Sequence, residues 1–110
     1  MAKPIDPQQA IETMWRLAPR LAKAKAERVC MDEYRKSLKA LLMKSSGEKT
    51  SAAQETEAYA HPDYIKHLAG LQAAVEAEET MKWQMVATEA AVEVWRSQEA
   101  SNRSIDRAAR

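Results

Sequence analysis

The final stretch of the chain constrains the fold more than any other part. Between Tyr64 and the C-terminus there is no proline and a single glycine, Gly70, so little in this stretch opposes a helix. We predict one long helix over residues 63–105. A helix of roughly 38 residues is already about 57 Å long, which is much more than the width of a compact domain of this size. The long helix therefore needs packing partners along its length.

The composition favours helices and argues against sheets. The 110 residues include no Phe, 2 Gly and only 5% aromatic residues. Sheets are rich in β-branched and aromatic residues and in Gly-containing turns. This chain is instead dominated by Ala, Leu, Met, Glu, Gln, Lys and Arg, which are strong helix formers. We predict an all-α protein that forms a single helical domain over residues 1–110.

The N-terminal half is expected to be helical after a short flexible arm, residues 1–5. Asp6 and Pro7 have the pattern of a helix N-cap followed by proline at the first helical position. Residues 7–45 are then predicted to be helical, with a kink or a break at Pro19, because the proline ring clashes with the preceding turn. This interpretation gives a short N-terminal helix, 7–17, and a longer one, 19–45.

A loop is predicted over residues 46–51, where Gly47 is available for a helix C-cap. Ser51 and Gln54 match a capping box, which predicts a short helix over 52–60. His61 before Pro62 should end that helix, because a residue that precedes proline disfavours the helical conformation. The long helix follows directly.

The segment 19–45 is expected to fold back on the long helix as a long antiparallel helical hairpin. Residues 1–50 contain 11 Lys and Arg against 6 Asp and Glu, whereas residues 51–110 contain 6 against 10. This charge asymmetry has two interpretations. The halves attract each other within the hairpin, or the basic half presents a surface to a polyanion.

The long helix is apolar on two sides between residues 81 and 95, which indicates a helix packed between others. We therefore predict a coiled-coil-like homo-oligomer, with a dimer as the expected state. The predicted interface residues are Met81, Met85, Val92, Trp95 and Trp83. The three tryptophans, Trp15, Trp83 and Trp95, are expected to be core anchors.

No pattern for catalysis, metal or cofactor binding stands out. The spacing of His61 and His67 is not that of a metal site, and there is no Gly-rich phosphate loop or nucleophile motif. We expect a non-enzymatic protein without cofactor or metal. Cys30 is the single cysteine, and we expect it to be buried. No signal peptide or membrane-spanning stretch is seen, so we expect a soluble cytoplasmic protein.

Arginines recur near the C-terminus at spacings that place them on one face of a continuing helix. Arginine suits bidentate phosphate contact, so these residues are candidates for nucleic-acid binding. A second basic run lies near the start of the chain. The candidate residues are Arg96, Arg103, Arg107, Arg110, Arg20 and Lys23. The alternative is a polar helix end, where arginine is favoured by the helix dipole.

The second half of the chain carries a motif that resembles a known group. Val-Glu-Val-Trp-Arg-Ser at residues 92–97, followed by Ala-Ser-Asn-Arg at 100–103, resembles small helical proteins of temperate bacteriophages and prophages. The resemblance covers about residues 59–107, and the group has no assigned biochemical activity. Genes of this group tend to lie in the early region, among genes for recombination and single-strand binding.

The resemblance implies an accessory role in phage DNA recombination or replication inside the bacterial host cell. We predict that the chain binds nucleic acid or a nucleic-acid-processing protein, so that DNA and a host or phage protein are the candidate partners. The alternative is an inhibitor or adaptor that captures a host factor through its helical surface. No membrane partner is expected.

Overall fold

The computed structural model describes residues 4–110, which form three α-helices. These are α1 (Pro7–Ser45), α2 (Ser51–Ala60) and α3 (Pro62–Ala109). No strand occurs among the described residues, so the all-α prediction is confirmed. The arm expected at residues 1–5 is described only at Pro4 and Ile5, since the first three residues lie outside the described part of the chain.

The ends of α1 are formed as expected. The backbone N–H groups of Gln8 and Gln9 donate to the Asp6 carboxylate, at 3.0 and 3.3 Å, which is N-capping by Asp6. At the other end, Gly47 has a φ of 76°. This left-handed conformation is easily adopted by glycine and is typical of the residue that follows a helix C-cap.

Of the two outcomes predicted at Pro19, the break is wrong, because α1 runs continuously from Pro7 to Ser45 with Pro19 inside it, while the kink stays a prediction. Proline in a helix interior costs about 3 kcal/mol. Packing on both sides offsets that cost, since Leu17 before Pro19 and Ala24 after it are buried. The short N-terminal helix is therefore the first part of a longer one.

The start of α2 differs from the predicted capping box by one residue. Thr50 is the N-cap, and its hydroxyl accepts a hydrogen bond from the N–H of Ala53. The Gln54 side chain donates to the carbonyl of Glu48 instead of returning to the cap. The loop thus covers 46–50, α2 begins at Ser51, and α3 extends four residues beyond the predicted end at 105.

The contacts group the chain into two compact units, and each is described by itself. The terminal unit comprises the residues up to Leu21 together with Thr80–Arg110, and the central unit comprises Ala22–Glu79. The prediction of a single domain over 1–110 stays a prediction.

In the central unit, α1 and α3 run antiparallel and polar side chains connect them. Arg28 donates two hydrogen bonds to the carboxylate of Glu78, from Nε at 2.6 Å and from Nη2 at 3.1 Å. This contact raises the pKa of Arg28. Nearer the loops, His67 Nε2 lies 2.7 Å from the carbonyl oxygen of Met31. These contacts confirm the antiparallel hairpin.

The loop end of the central unit is built around tyrosines. Tyr64 is only 5% exposed and packs edge-to-face on Tyr59, with ring centroids 5.2 Å apart. Lys39 Nζ lies 4.7 Å from the Tyr59 ring centroid and 3.4 Å from the Glu55 carboxylate. Hydrogen bonding to Tyr59 raises the pKa of Lys39. Together, these contacts attach α2 to α1 and α3.

In the terminal unit, the first part of α1 packs against α3, also antiparallel. Thr13 and Leu17 line one surface groove with Gln84 and Thr88, while earlier residues of α1 line another with Ala91. The positions with reduced exposure alternate by three and four residues along both helices, as in a coiled-coil seam. They are Ala10, Met14, Leu17 and Leu21 on α1, and Met81, Met85, Thr88, Val92 and Trp95 on α3.

The expected burial of Cys30 is wrong, because this residue is exposed. The half-buried positions around it on α1 are Arg28 and Met31, which face the hairpin seam. Cys30 lies roughly 200° from Arg28 around the helix. Its small apolar side chain therefore falls on the outer side.

Candidate nucleic-acid interface

The candidate site is the part of α3 that follows the packed seam. Trp95 is the last half-buried residue of α3, and each residue from 96 to 110 is exposed. The helix nevertheless continues to Ala109. We call residues 96–110 the C-terminal segment. Because no described side chain covers it, all faces of this segment are accessible to a partner.

The arginines of the C-terminal segment share one face. At 3.6 residues per turn, Arg96, Arg103 and Arg107 lie within about 40° of one another around the helix axis. Arg110 comes directly after the last helical residue, and its N–H donates to the carbonyl of Arg107 at 3.4 Å. The predicted arginine face is therefore present, as a row of exposed guanidinium groups on a helix.

The arginines of this row differ in how far nearby carboxylates offset their charge. Arg96 Nη1 lies 3.2 Å from the Glu93 carboxylate, one turn earlier on the same helix, and that contact offsets part of its charge. Within the described part of the chain, Arg103 and Arg107 make no ion pair. Glu99 and Asp106 lie about 60–80° from the centre of the row, so they weaken its field from one side. Arg103 and Arg107 are the strongest candidates for phosphate contact.

The short polar side chains between the arginines occupy a different face. Ser97, Gln98, Ser101 and Asn102 line a shallow groove on the surface of α3. Ser101 lies about 140° from the arginine row around the axis. These groups therefore cannot contact the same stretch of phosphates as the arginines, although the sequence places them side by side.

The second basic run does not join the first. Arg20 is exposed and lines a groove of the terminal unit with Arg16 and Gln84. Arg103 is nineteen residues beyond Gln84, about 28 Å along the helix axis. Lys23 belongs to the central unit and is exposed. Four of the six predicted residues therefore lie at the C-terminal end of α3, and the other two, Arg20 and Lys23, lie on α1.

The five predicted interface residues lie on two different faces of α3. Met81, Met85, Val92 and Trp95 are half-buried, and they share a face with Thr88, which lines a groove with Leu17 of α1. That face is directed toward the chain's own α1. Trp83 lies on another face and is 64% exposed. The oligomeric state and the interface stay predictions.

The tryptophan predictions are wrong for two of the three side chains. Trp15 is 73% exposed and Trp83 is 64% exposed, whereas Trp95 is half-buried. The spacing of Ala10, Met14 and Leu17 fixes the seam of α1, and Trp15 lies one position off it. This 3–4 spacing is the signal in the sequence that could have shown Trp15 to be on the surface.

A smaller groove in the central unit was not foreseen. Tyr34 packs edge-to-face on His67 with centroids 5.4 Å apart, and both line the groove with Met31 and Gly70. His67 is directed to a backbone carbonyl. No group of three His, Cys, Asp or Glu residues within the described chain could hold a metal ion.

No protein-family model, curated protein or solved structure matches this chain. The resemblance of residues 59–107 to phage proteins therefore stays a prediction. Within residues 4–110, no helix combines the length and apolar character that a membrane crossing requires.

Proposed function

We propose that this chain is a non-enzymatic nucleic-acid-binding protein that contacts the phosphate backbone through its C-terminal segment. One observation supports the proposal most. The helix continues for fourteen residues past its packed seam and carries three arginines in a narrow arc. A segment that contributes little to the core but presents guanidinium groups is suited to phosphate contact.

The cellular role that we propose follows from the sequence resemblance. The protein would act in the cytoplasm of a bacterial host as a phage-encoded accessory protein of DNA recombination or replication. It would do so by holding nucleic acid or a nucleic-acid-processing protein. We also propose that it acts as a homodimer, because α3 carries exposed apolar side chains on a face that the chain itself does not cover.

Salt dependence tests the contact with nucleic acid. The affinity for a fluorescent DNA duplex of about 25 base pairs is measured by anisotropy between about 50 and 200 mM KCl, with a single strand of the same length alongside. Each phosphate contact contributes about 0.9 to the log–log slope on duplex DNA. We expect Arg103→Gln with Arg107→Gln to reduce the magnitude of the slope by about 1.8 and to weaken binding.

A matched control removes the same charge elsewhere in the terminal unit. Arg16→Gln with Arg20→Gln should leave the slope unchanged if the C-terminal segment makes the contact. Equal losses in the two double variants would contradict the assignment to that segment. Absence of binding to either DNA at the lowest salt concentration would overturn the nucleic-acid proposal.

A second candidate function is an adaptor that binds a host protein, and Trp15 supports it. This side chain is the most exposed large hydrophobic residue among residues 4–110, and Ile11 one turn before it is also exposed. Exposed tryptophans are enriched among residues that dominate protein–protein binding. If a purified candidate partner binds there, Trp15→Ala should weaken binding at least tenfold and leave the helix content unchanged by circular dichroism. An unchanged affinity would exclude this face.

A further inference from the structure

Charge is distributed unevenly around the helix of the C-terminal segment. The side-chain carboxylates of this segment, Glu99 and Asp106, lie on one face, about 20° apart around the axis, and the arginine row lies about 70° to one side of them. The opposite face, about 180° from the carboxylates, carries hydroxyl groups and no charge. We call this the serine face, and its members are Ser97, Ser101 and Ser104.

Two orientations on nucleic acid bring the arginine row to phosphate groups. If the row itself faces the nucleic acid, Glu99 and Asp106 lie beside the same phosphates and are repelled by them. If the serine face is directed at the nucleic acid, the arginines contact phosphates along one flank of the helix, and both carboxylates point away to solvent. The second orientation therefore satisfies every charge of the segment.

We propose that the C-terminal segment binds in the major groove of duplex DNA, with the serine face toward the base edges. The inference rests on the proposed nucleic-acid binding and names its ligand as the double helix. The arginine row, about 110° from the serine face, contacts the phosphates of one strand. Gln98 lies about 90° from the serine face on the other flank, where its amide contacts the phosphates of the second strand.

The dimensions of the segment fit this groove. An α-helix with its side chains is about 10–12 Å wide, the major groove is about 12 Å wide and the minor groove only about 6 Å. The helical residues 96–109 are about 21 Å long, which is the length of about six base pairs. Each of these residues is exposed, so the helix can enter the groove without unpacking from α1.

The chemistry of the serine face suits the floor of the groove. Serine hydroxyls both donate and accept hydrogen bonds, so they can contact the edges of either base pair. Their small size lets the helix axis approach the bases. Because serine does not discriminate strongly between bases, we expect binding with little sequence preference. A single strand has no second wall of phosphates for Gln98 to contact, so we expect weaker binding to it.

The first test measures the orientation of the helix. The full chain is titrated into a fluorescent duplex of about 25 base pairs at about 100 mM KCl, and anisotropy gives the dissociation constant. Ser101→Glu places a carboxylate among the phosphates and should raise the constant at least about tenfold. Glu99→Gln is the matched control, since it alters one carboxylate on the face that points to solvent, and it should change the constant by less than about threefold.

The two variants distinguish the two orientations. If the arginine row faces the nucleic acid, Glu99→Gln should strengthen binding more than Ser101→Glu weakens it. An effect of Ser101→Glu that is equal to or smaller than that of Glu99→Gln overturns the proposal. Circular dichroism confirms that both variants retain their helices.

The single strand separates this proposal from nucleic-acid binding in general. We expect a single strand of the same length to bind at least about tenfold more weakly than the duplex at the same salt concentration. Equal affinities overturn the groove assignment, and the nucleic-acid proposal still stands if Arg103→Gln with Arg107→Gln reduces the salt slope. Absence of binding to both DNAs overturns both proposals.

The second test identifies the groove. Dimethyl sulfate methylates guanine N7, which lies in the major groove, and adenine N3, which lies in the minor groove. Saturating protein should reduce methylation at N7 by at least about half and leave N3 unchanged. Ser101→Glu at the same concentration should restore methylation at N7. Unchanged methylation at N7, or an equal or larger reduction at N3, overturns the proposal.

Discussion

The central and terminal units use the same two helices in different ways. The interhelical hydrogen bonds and ion pairs described above lie in the central unit, where Arg28 contacts Glu78 and His67 contacts Met31. The described seam of the terminal unit consists mainly of Leu, Met, Val and Ala side chains. The terminal unit also carries both largely exposed tryptophans and the C-terminal segment.

The two units therefore differ in what their side chains contribute to the molecule. Directional polar contacts specify one arrangement of helices and so define the fold of the central unit. Apolar and basic side chains left at the surface do not stabilise a monomer, and they are available to partners. Exposed apolar side chains occur in both units, for example Leu41 and Ile65 in the central one, so the difference between the units lies in the interhelical polar contacts, the two exposed tryptophans and the C-terminal segment. Three measurements test how the two units differ.

Amide hydrogen exchange should show the largest contrast. Amides of residues 67–78 in the central unit should exchange at least about a thousandfold more slowly than those of residues 99–109, because the former open only with the hairpin and the latter belong to an uncovered helix end. Exchange is followed by mass spectrometry in the free protein and with DNA. Equal protection of the two segments in the free protein would contradict this difference, and DNA should slow exchange in the C-terminal segment selectively.

Replacing one aromatic residue in each unit should distinguish a buried ring that stabilises the fold from an exposed ring that does not. Tyr64→Ala removes a buried ring that contacts Tyr59, and we expect the free energy of unfolding to fall by about 3–5 kcal/mol. Trp15→Ala removes a larger but exposed ring, and the change should stay within about 0.5 kcal/mol. Urea denaturation at a concentration where the chain is monomeric measures both. Similar losses in the two variants would mean that Trp15 packs in the monomer.

The smallest effect concerns Gly70 in the middle of α3. A Cβ atom at this position would lie 2.9 Å from Met31 Cε, the end of a flexible side chain that can move. Alanine is favoured over glycine in a helix interior by about 1 kcal/mol. Gly70→Ala should therefore raise the free energy of unfolding by up to about 1 kcal/mol in the same urea experiment. A decrease would show that Met31 is held rigidly in the central unit.

Much of the fold could be predicted because it depends on local signals. Composition, the Asp6-Pro7 cap and Gly47 are local features, and each was interpreted correctly. The break at Pro19 was predicted from an equally local rule. The helix continues there because the burial of Leu17 before the proline and of Ala24 after it outweighs the cost of one proline in a helix interior.

The site was harder to predict, because exposure depends on which face becomes the seam. The arginine row needed only helical spacing, so its alignment was predictable from Arg96, Arg103 and Arg107. The exposure of Trp15 could have been predicted from the spacing of Ala10, Met14 and Leu17, whereas Trp83 belongs to a second apolar face of α3 whose exposure depends on which face packs on α1. Met81 and Met85 lie on the face directed toward α1, and their contact with a second chain stays a prediction.

The ion pair between Arg28 and Glu78 has a consequence for alternative alignments of the hairpin. Helices with many Ala, Leu and Met side chains in their seam can slide by one heptad at little cost in apolar contact. A slide of one heptad, about 10 Å, in the direction that brings Leu21 opposite Glu78 would leave the Glu78 carboxylate, which is only 13% exposed, without a guanidinium from α1 at that position. That misalignment is penalised, and the ion pair between Arg28 and Glu78 favours the observed alignment of the two helices.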